Sequence, residues 1–139
     1  LARQDVPRAF AFEPNPANLF YLTNSILESP GTSDKLTLYP FALGVSKASH
    51  AFFSEPGNAG NTVLDQPTHA EKTAIGKIMT VPLDNLFPPA YQTPYFRVAK
   101  IDAQGFEPFI LQGGAMLLRR KAVGVWKFEL ATDWLKAQE

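Results

Sequence analysis

Alternating strand and helix patterns are the feature that most constrains this chain. Residues 8–13 are apolar and aromatic-rich and are followed by Pro14, which favours a strand buried on both faces. Asn15 is a suitable helix N-cap, Pro16 suits the first helical turn, and the helix they predict leads to a second strand over 36–42. Because parallel neighbours need a crossover connection, this order predicts a parallel pair of strands.

The same alternation returns in the second half of the chain. The sequence predicts a strand over 95–102, one helix that opens at Gly105 and continues to Leu117, and a final strand over 122–129. Repeated strand and helix units place helices on the faces of a parallel sheet. The predicted class is therefore α/β, a Rossmann-like, doubly wound and mostly parallel sheet with helices on both faces.

The patterns between these two halves are weaker. Short strands are predicted over 49–54 and 76–81, and one helical turn over 82–87. The Pro, Gly, Asn and Thr content of 55–71 is typical of a surface loop. A last helix is predicted over 133–138, where the chain ends.

Composition excludes several classes of function. The 13 Lys and Arg balance 13 Asp and Glu and form no basic stripe, so no nucleic-acid partner is expected. No apolar run is long enough to span a bilayer or act as a signal peptide, and the compartment stays open, with the cytoplasm as default. Without cysteine there is no disulfide and no thiolate metal site. His50 and His69 adjoin no motif, so both are expected at the surface.

Three predicted strands end in a carboxylate, at Glu13, Asp102 and Glu129. The carboxyl ends of parallel strands share one edge of a sheet, and ligands of open α/β sheets bind beyond that edge. The alternative is that acids follow strands because the chain meets water there. Glu13 is the most specific of the three, because a carboxylate can accept hydrogen bonds from both hydroxyls of a ribose.

Several motifs in order resemble the FkbM-type methyltransferases, and together they cover nearly the whole chain. The first and fourth are the most specific, because they match other Rossmann-like families poorly. The matching segments are AFEPNP at 11–16 with Asn18, FALG at 41–44, VPLD at 81–84, KIDAQGFE at 100–107 and LQGGA at 111–115.

This resemblance implies S-adenosylmethionine as cofactor and O-methylation of a hydroxyl on a small-molecule or glycan acceptor. It implies cofactor binding by Glu13, Asn15, Ala42 and Asp102, with Glu13 on the ribose and Ala42 in the region that lines the adenine. Asp102 and Glu107 are the implied catalytic residues, and no metal ligand is assigned. Asp102 is open to three roles, as the base, in orienting the acceptor or in holding the cofactor's amino group, and a divalent metal on it is a less favoured alternative. Glu107 could instead complement the helix N-terminus.

Two departures from the family pattern leave alternatives open. Gln104 stands where the family usually has Glu, which removes a charge. No strand and glycine loop precede Arg8, so residues 1–139 are expected to form a single partial class I methyltransferase domain, truncated at the N-terminus and at the C-terminus, that binds S-adenosylmethionine poorly alone. The main alternative is a non-catalytic Rossmann-like interaction remnant. A nicotinamide-dependent oxidoreductase is disfavoured, because no G-x-G-x-x-G precedes Glu13.

Overall fold

The computed structural model describes residues 8–55, 58–64, 73–88 and 94–129. The chain divides into two compact units, Leu1–Ala42 and Leu43–Glu139. The helix predicted over 133–138 and the histidine at 69 lie outside the described residues. No helix in the described part is long and apolar enough to cross a membrane.

The first unit is one strand–helix–strand crossover. Strand β1 (Ala9–Phe12) leads into helix α1 (Pro16–Glu28), which leads into β2 (Leu36–Tyr39). The two strands pair in parallel, with Phe12 opposite Tyr39, so the predicted parallel pair is confirmed. The predicted N-cap is also confirmed, because the Asn15 side chain accepts a hydrogen bond from the amide of Ala17 at 2.9 Å.

Burial in the first unit is lower than the sequence predicts. Strand β1 is exposed at Ala9 and only half-buried beyond it, which corrects the prediction of a strand buried on both faces. Helix α1 has no buried residue, and Phe20 on it is 65% exposed. The strand predicted over 36–42 ends at Tyr39, because Pro40 cannot donate a ladder hydrogen bond.

A four-stranded sheet follows, which has the order β3-β6-β4-β5 and belongs to the second unit except for its first residue, Ala42. Strand β4 is antiparallel to both of its neighbours, which departs from the mostly parallel sheet that the sequence predicts. Strand β5 lies inside the segment predicted as a loop over 55–71, so that prediction is wrong there. The strands are β3 (Ala42–Leu43), β4 (Ala48–Glu55), β5 (Asn58–Leu64) and β6 (Thr73–Val81).

The short link between β4 and β5 explains their direction. Only residues 56 and 57 separate them, and a connection this short joins antiparallel strands, whereas a parallel pair needs a crossover of a dozen residues or more. Asn and Gly at 58–61 have low intrinsic strand propensity, and the pairing with β4 overrides it.

The rest of the second unit is a second parallel crossover. Strand β7 pairs in parallel with β8, with Ile101 opposite Phe128, as the alternation predicts. The single helix predicted from Gly105 to Leu117 is instead two short helices, broken at Gly114. The one-turn helix predicted over 82–87 is confirmed. The elements are α2 (Leu83–Leu86), β7 (Phe96–Ile101), α3 (Glu107–Gly113), α4 (Ala115–Arg119) and β8 (Val123–Phe128).

The buried side chains of this unit come mainly from its helices and from the ends of its last two strands. Leu117 is the most deeply buried apolar residue among them, at 2% exposure. The structure as a whole is mixed α/β. The buried apolar residues of the second unit are Phe52, Leu83, Ile101, Ile110, Leu117, Ala122 and Val123.

Candidate functional site

Glu13 directly follows β1, and the turn after it orients its carboxylate. Its Oε1 accepts a hydrogen bond from the backbone amide of Asn15 at 2.7 Å, and its Oε2 accepts one from the Asn18 side chain at 3.3 Å. An ionised carboxylate has about four acceptor positions, so each oxygen keeps capacity for a further donor. The carboxylate is therefore held in one orientation and can still accept a pair of hydroxyls.

The other two predicted cofactor residues of the first unit are buried. Asn15 is 3% exposed, and its side chain caps α1. Ala42 is 9% exposed at the start of β3. The cap fixes the backbone amide of Asn15 that binds Glu13, so Asn15 acts on that carboxylate through its backbone.

An aromatic cluster that sequence reasoning missed lies at the carboxyl ends of β1 and β2. Phe12 stacks on Tyr39, with ring centroids 5.0 Å apart and planes 8° apart. Phe41 lies beside Tyr39 with a centroid distance of 5.3 Å. The signal available in the sequence was that both strands end in an aromatic residue, which a parallel register places side by side.

Two of the three strand-terminal acids meet at one edge of the β7–β8 pair. Because Ile101 and Phe128 are opposite each other in parallel strands, Asp102 and Glu129 both leave the sheet at the same end. Together with Gln104 and Glu107 they line a depression with a cavity volume of about 50 Å³. This is smaller than the roughly 300–1,000 Å³ of pockets for drug-sized ligands, so it suits a reacting group and not a whole cofactor.

Asp102 has two side-chain partners. Lys100 Nζ lies 2.8 Å from its Oδ2, and Gln104 Nε2 donates to its Oδ1 at 3.3 Å. The hydrogen bond from Lys100 to Asp102 raises the pKa of the Lys100 ammonium above its ordinary value of 10.5, and the charges of Asp102 and Glu129 add to this. Lys100 therefore stays protonated at neutral pH and balances one carboxylate at this edge. The pair is exposed, so its contribution to folding is small.

Glu107 is a buried acidic residue. It is 4% exposed, and its Oε1 accepts a hydrogen bond from the backbone amide of Ala103 at 2.8 Å. This bond spans the loop between β7 and α3. The contact supports a role in shaping the loop, whereas Asp102 at the other end of the same loop is exposed.

The loop contains a tight turn with two consecutive left-handed residues. Gln104 has φ 51° and Gly105 has φ 94°, and the amide of Phe106 closes the turn onto the carbonyl of Ala103 at 3.1 Å. Glycine adopts such angles readily, whereas a residue with a side chain is strained there by about 1–2 kcal/mol. The turn thus explains the glycine of the KIDAQGFE motif and places strain at Gln104.

Replacing Gln104 with glycine should raise the free energy of unfolding by about 0.5–1 kcal/mol. Relief of the backbone strain stabilises the folded state, and the greater entropy of the unfolded glycine chain offsets only part of that gain. Lys121, with φ 53°, offers a matched control outside the depression, and Lys121→Gly should give a similar gain. Urea denaturation of both variants measures the effect. A gain at Lys121 with none at Gln104 would show that the turn is not strained.

Asp84 is a structural residue of the second unit to which sequence reasoning assigned no role. Its carboxylate accepts hydrogen bonds from the amides of Met116 at 2.8 Å and Leu117 at 3.1 Å, which are in the first turn of α4. A carboxylate from α2 therefore caps α4, which explains both the Asp of the VPLD motif and why the predicted single helix is divided. The only signal in the sequence was the motif itself.

His50 is half-buried, which corrects the prediction of a surface position. Its Nε2 lies 3.0 Å from Thr80 Oγ1, and its ring meets Phe106 edge-on at a centroid distance of 5.9 Å. The pairing of β4 with β6 produces the first contact, and that pairing cannot be read from either strand alone.

The match to known families agrees with these motifs. Residues 2–138 match the methyltransferase FkbM domain. No curated protein and no solved structure matches the chain. The match spans almost all of the sequence, so the chain belongs to the FkbM methyltransferase family, as the order of its motifs predicts.

Proposed function

We propose that this chain takes part in the transfer of a methyl group from S-adenosylmethionine to an acceptor hydroxyl, within a doubly wound, Rossmann-like domain. The observation that carries the proposal is the carboxylate of Glu13, which directly follows a parallel strand and is oriented by hydrogen bonds to both of its oxygens. Carboxylates at this position of α/β folds bind the ribose of nucleoside cofactors. Family membership gives the chemistry as methyl transfer.

The residues of the first unit fit the nucleoside part of such a cofactor. A ribose presents two neighbouring hydroxyl donors, and Glu13 presents two oxygens that each retain acceptor capacity. Asn15 supports that carboxylate through its amide. Ala42 is small and buried, and we assign it to the region that lines the adenine.

The residues of the second unit fit the acceptor. S-adenosylmethionine supplies a methyl group on a positively charged sulfur, which is already a strong electrophile. The protein must then position the acceptor oxygen and remove a proton, for which a carboxylate is sufficient. We assign Asp102 to this step, since it is exposed at the depression and its orientation is set by Lys100 and Gln104. We assign Glu107 to holding the loop that carries Asp102.

Charge in the depression favours a neutral acceptor. Asp102, Glu107 and Glu129 bring three carboxylates, and Lys100 balances one of them. A phosphate or carboxylate on the acceptor would be repelled there, whereas a hydroxyl of a small molecule or glycan would not. Among the described residues, no group of three or more His, Asp or Glu is arranged to hold a metal ion.

Glu13→Gln should weaken binding of S-adenosylhomocysteine about tenfold. The amide is uncharged and offers one acceptor oxygen, whereas the carboxylate is charged and offers two. Calorimetry on the full-length gene product measures this. Glu28→Gln, which makes the same charge change on the exposed end of α1, should bind as the wild type does. Equal affinities in both variants would contradict the assignment of Glu13. A wild type that binds nothing would favour the non-catalytic alternative.

The type of transfer has its own test. The full-length product is incubated with S-adenosylmethionine that carries a labelled methyl group and with a mixture of small molecules and glycans whose only acceptor groups are hydroxyls or carboxylates. Methyl ethers resist mild base, whereas methyl esters are hydrolysed. Label that survives base supports O-methylation of a hydroxyl, and label that is released would show a carboxylate acceptor instead.

A further inference from the structure

The side chains of His50 and Thr80 connect the antiparallel sheet to the turn at the candidate site, and their hydrogen bonds have a defined direction. Thr80 is 1% exposed, and its hydroxyl donates to the carbonyl of Ser46 at 2.8 Å. A hydroxyl has a single proton, so the 3.0 Å contact between His50 Nε2 and Thr80 Oγ1 requires the histidine to donate. His50 therefore carries a proton on Nε2.

The ring of His50 packs against the ring of Phe106. The two rings meet edge-on, 77° apart, and Phe106 also packs on Phe109 with a centroid distance of 4.7 Å. A side chain at Gly44 would lie 3.1 Å from Thr80 Cβ and 3.4 Å from Phe106 Cε1. Thr80 and Phe106 thus both lie beside Gly44.

Phe106 in turn closes the strained turn. Its amide donates to the carbonyl of Ala103, and its own carbonyl accepts from Ile110 at the start of α3. A left-handed, non-glycine residue such as Gln104 persists only where the surrounding structure holds it. The Gln104 side chain contacts Asp102, so a change in the turn alters the surroundings of that carboxylate.

We propose that His50 and Thr80 are positioning residues, which act through Phe106 to hold the turn that presents Asp102 and Gln104. The inference rests on the proposed function only for the chemical use of Asp102. It gives the four-stranded sheet a part in the site, because β4 carries His50 and β6 carries Thr80.

Amide hydrogen exchange at Phe106 tests the proposal, because that amide closes the turn. Thr80→Val removes the hydroxyl at nearly constant volume and should speed the exchange about tenfold, whereas Thr80→Ser keeps the hydroxyl and should stay within about twofold of the wild type. The amide of Phe96, which donates to the carbonyl of Ala122 elsewhere in the same unit, is the internal control and should not change. A rate at Phe106 that is the same in Thr80→Val as in the wild type would overturn the proposal.

Nitrogen chemical shifts of His50 give a second, independent measurement that needs no substitution. They should show a proton on Nε2, and a proton found only on Nδ1 would overturn the proposed direction even if Thr80→Val fails to fold. Binding of S-adenosylhomocysteine by the full-length gene product is measured in parallel. No binding by the wild type would refute the proposed function, while the exchange rates and nitrogen shifts would still decide whether these residues hold the turn.

Discussion

Gly113→Ala is expected to lower the free energy of unfolding by about 3 kcal/mol or more. A Cβ at this position would overlap the carbonyl oxygen of Gly44 and lie 2.9 Å from its carbonyl carbon. The obstacle is backbone, which cannot rotate away as a side chain can, so α3 would have to move off the segment after β3. Overpacking of a rigid site costs typically 1–3 kcal/mol and occasionally more.

The neighbouring glycine is the matched control. A Cβ at Gly114 would come no closer than 3.3 Å, to the Cδ2 of Leu83, which is the end of a flexible side chain. Gly114→Ala should therefore change the unfolding free energy by less than about 1 kcal/mol. Thermal or urea denaturation of both variants gives the comparison. Equal losses in the two variants would mean that the contact of Gly113 with Gly44 does not limit the packing of α3.

The strand–helix–strand crossovers could be predicted from the sequence because their signals are local. Asn15 and Pro16 define the start of α1 within two residues, and the apolar runs on either side define β1 and β2. Each signal acts through neighbours in the chain, as a cap or as a short buried run does. The same applies to the parallel β7 and β8 pair.

The antiparallel sheet could not be predicted in the same way. Strand β5 contains Asn and Gly and has no alternating pattern of its own, so its conformation depends on pairing with β4. Strand propensity depends on the partner, which a single sequence does not reveal. The half-buried position of His50 follows from the pairing of β4 with β6, and the sequence therefore placed it wrongly at the surface.

Some features of the candidate site could likewise be predicted from local sequence, and others depend on tertiary structure. That Asp102 and Glu129 emerge at one edge was predicted, since parallel strands end together. Two other features depend on how the loop closes. They are the left-handed backbone of Gln104 and the burial of Glu107 against the amide of Ala103. Residue type alone indicated acids near a site and not which of them has a structural role.

Asp84→Ala should lower the free energy of unfolding by about 3 kcal/mol, because it leaves the amides of Met116 and Leu117 without their acceptor. Leu117 is 2% exposed, so water cannot easily replace the carboxylate at that amide. Asp84→Asn keeps one acceptor oxygen and should lose about half as much. Circular dichroism during urea denaturation measures all three proteins.

Asn85→Ala provides the control for the loss of a polar side chain from the same helix. Asn85 is exposed next to Asp84, and its substitution should change stability by less than about 0.5 kcal/mol. A ranking with Asp84→Ala lowest, Asp84→Asn intermediate and Asn85→Ala near the wild type would assign the effect to the two hydrogen bonds. If Asp84→Asn were as unstable as Asp84→Ala, one remaining oxygen would not suffice, and the charge of the carboxylate at the first turn of α4 would be the larger contribution.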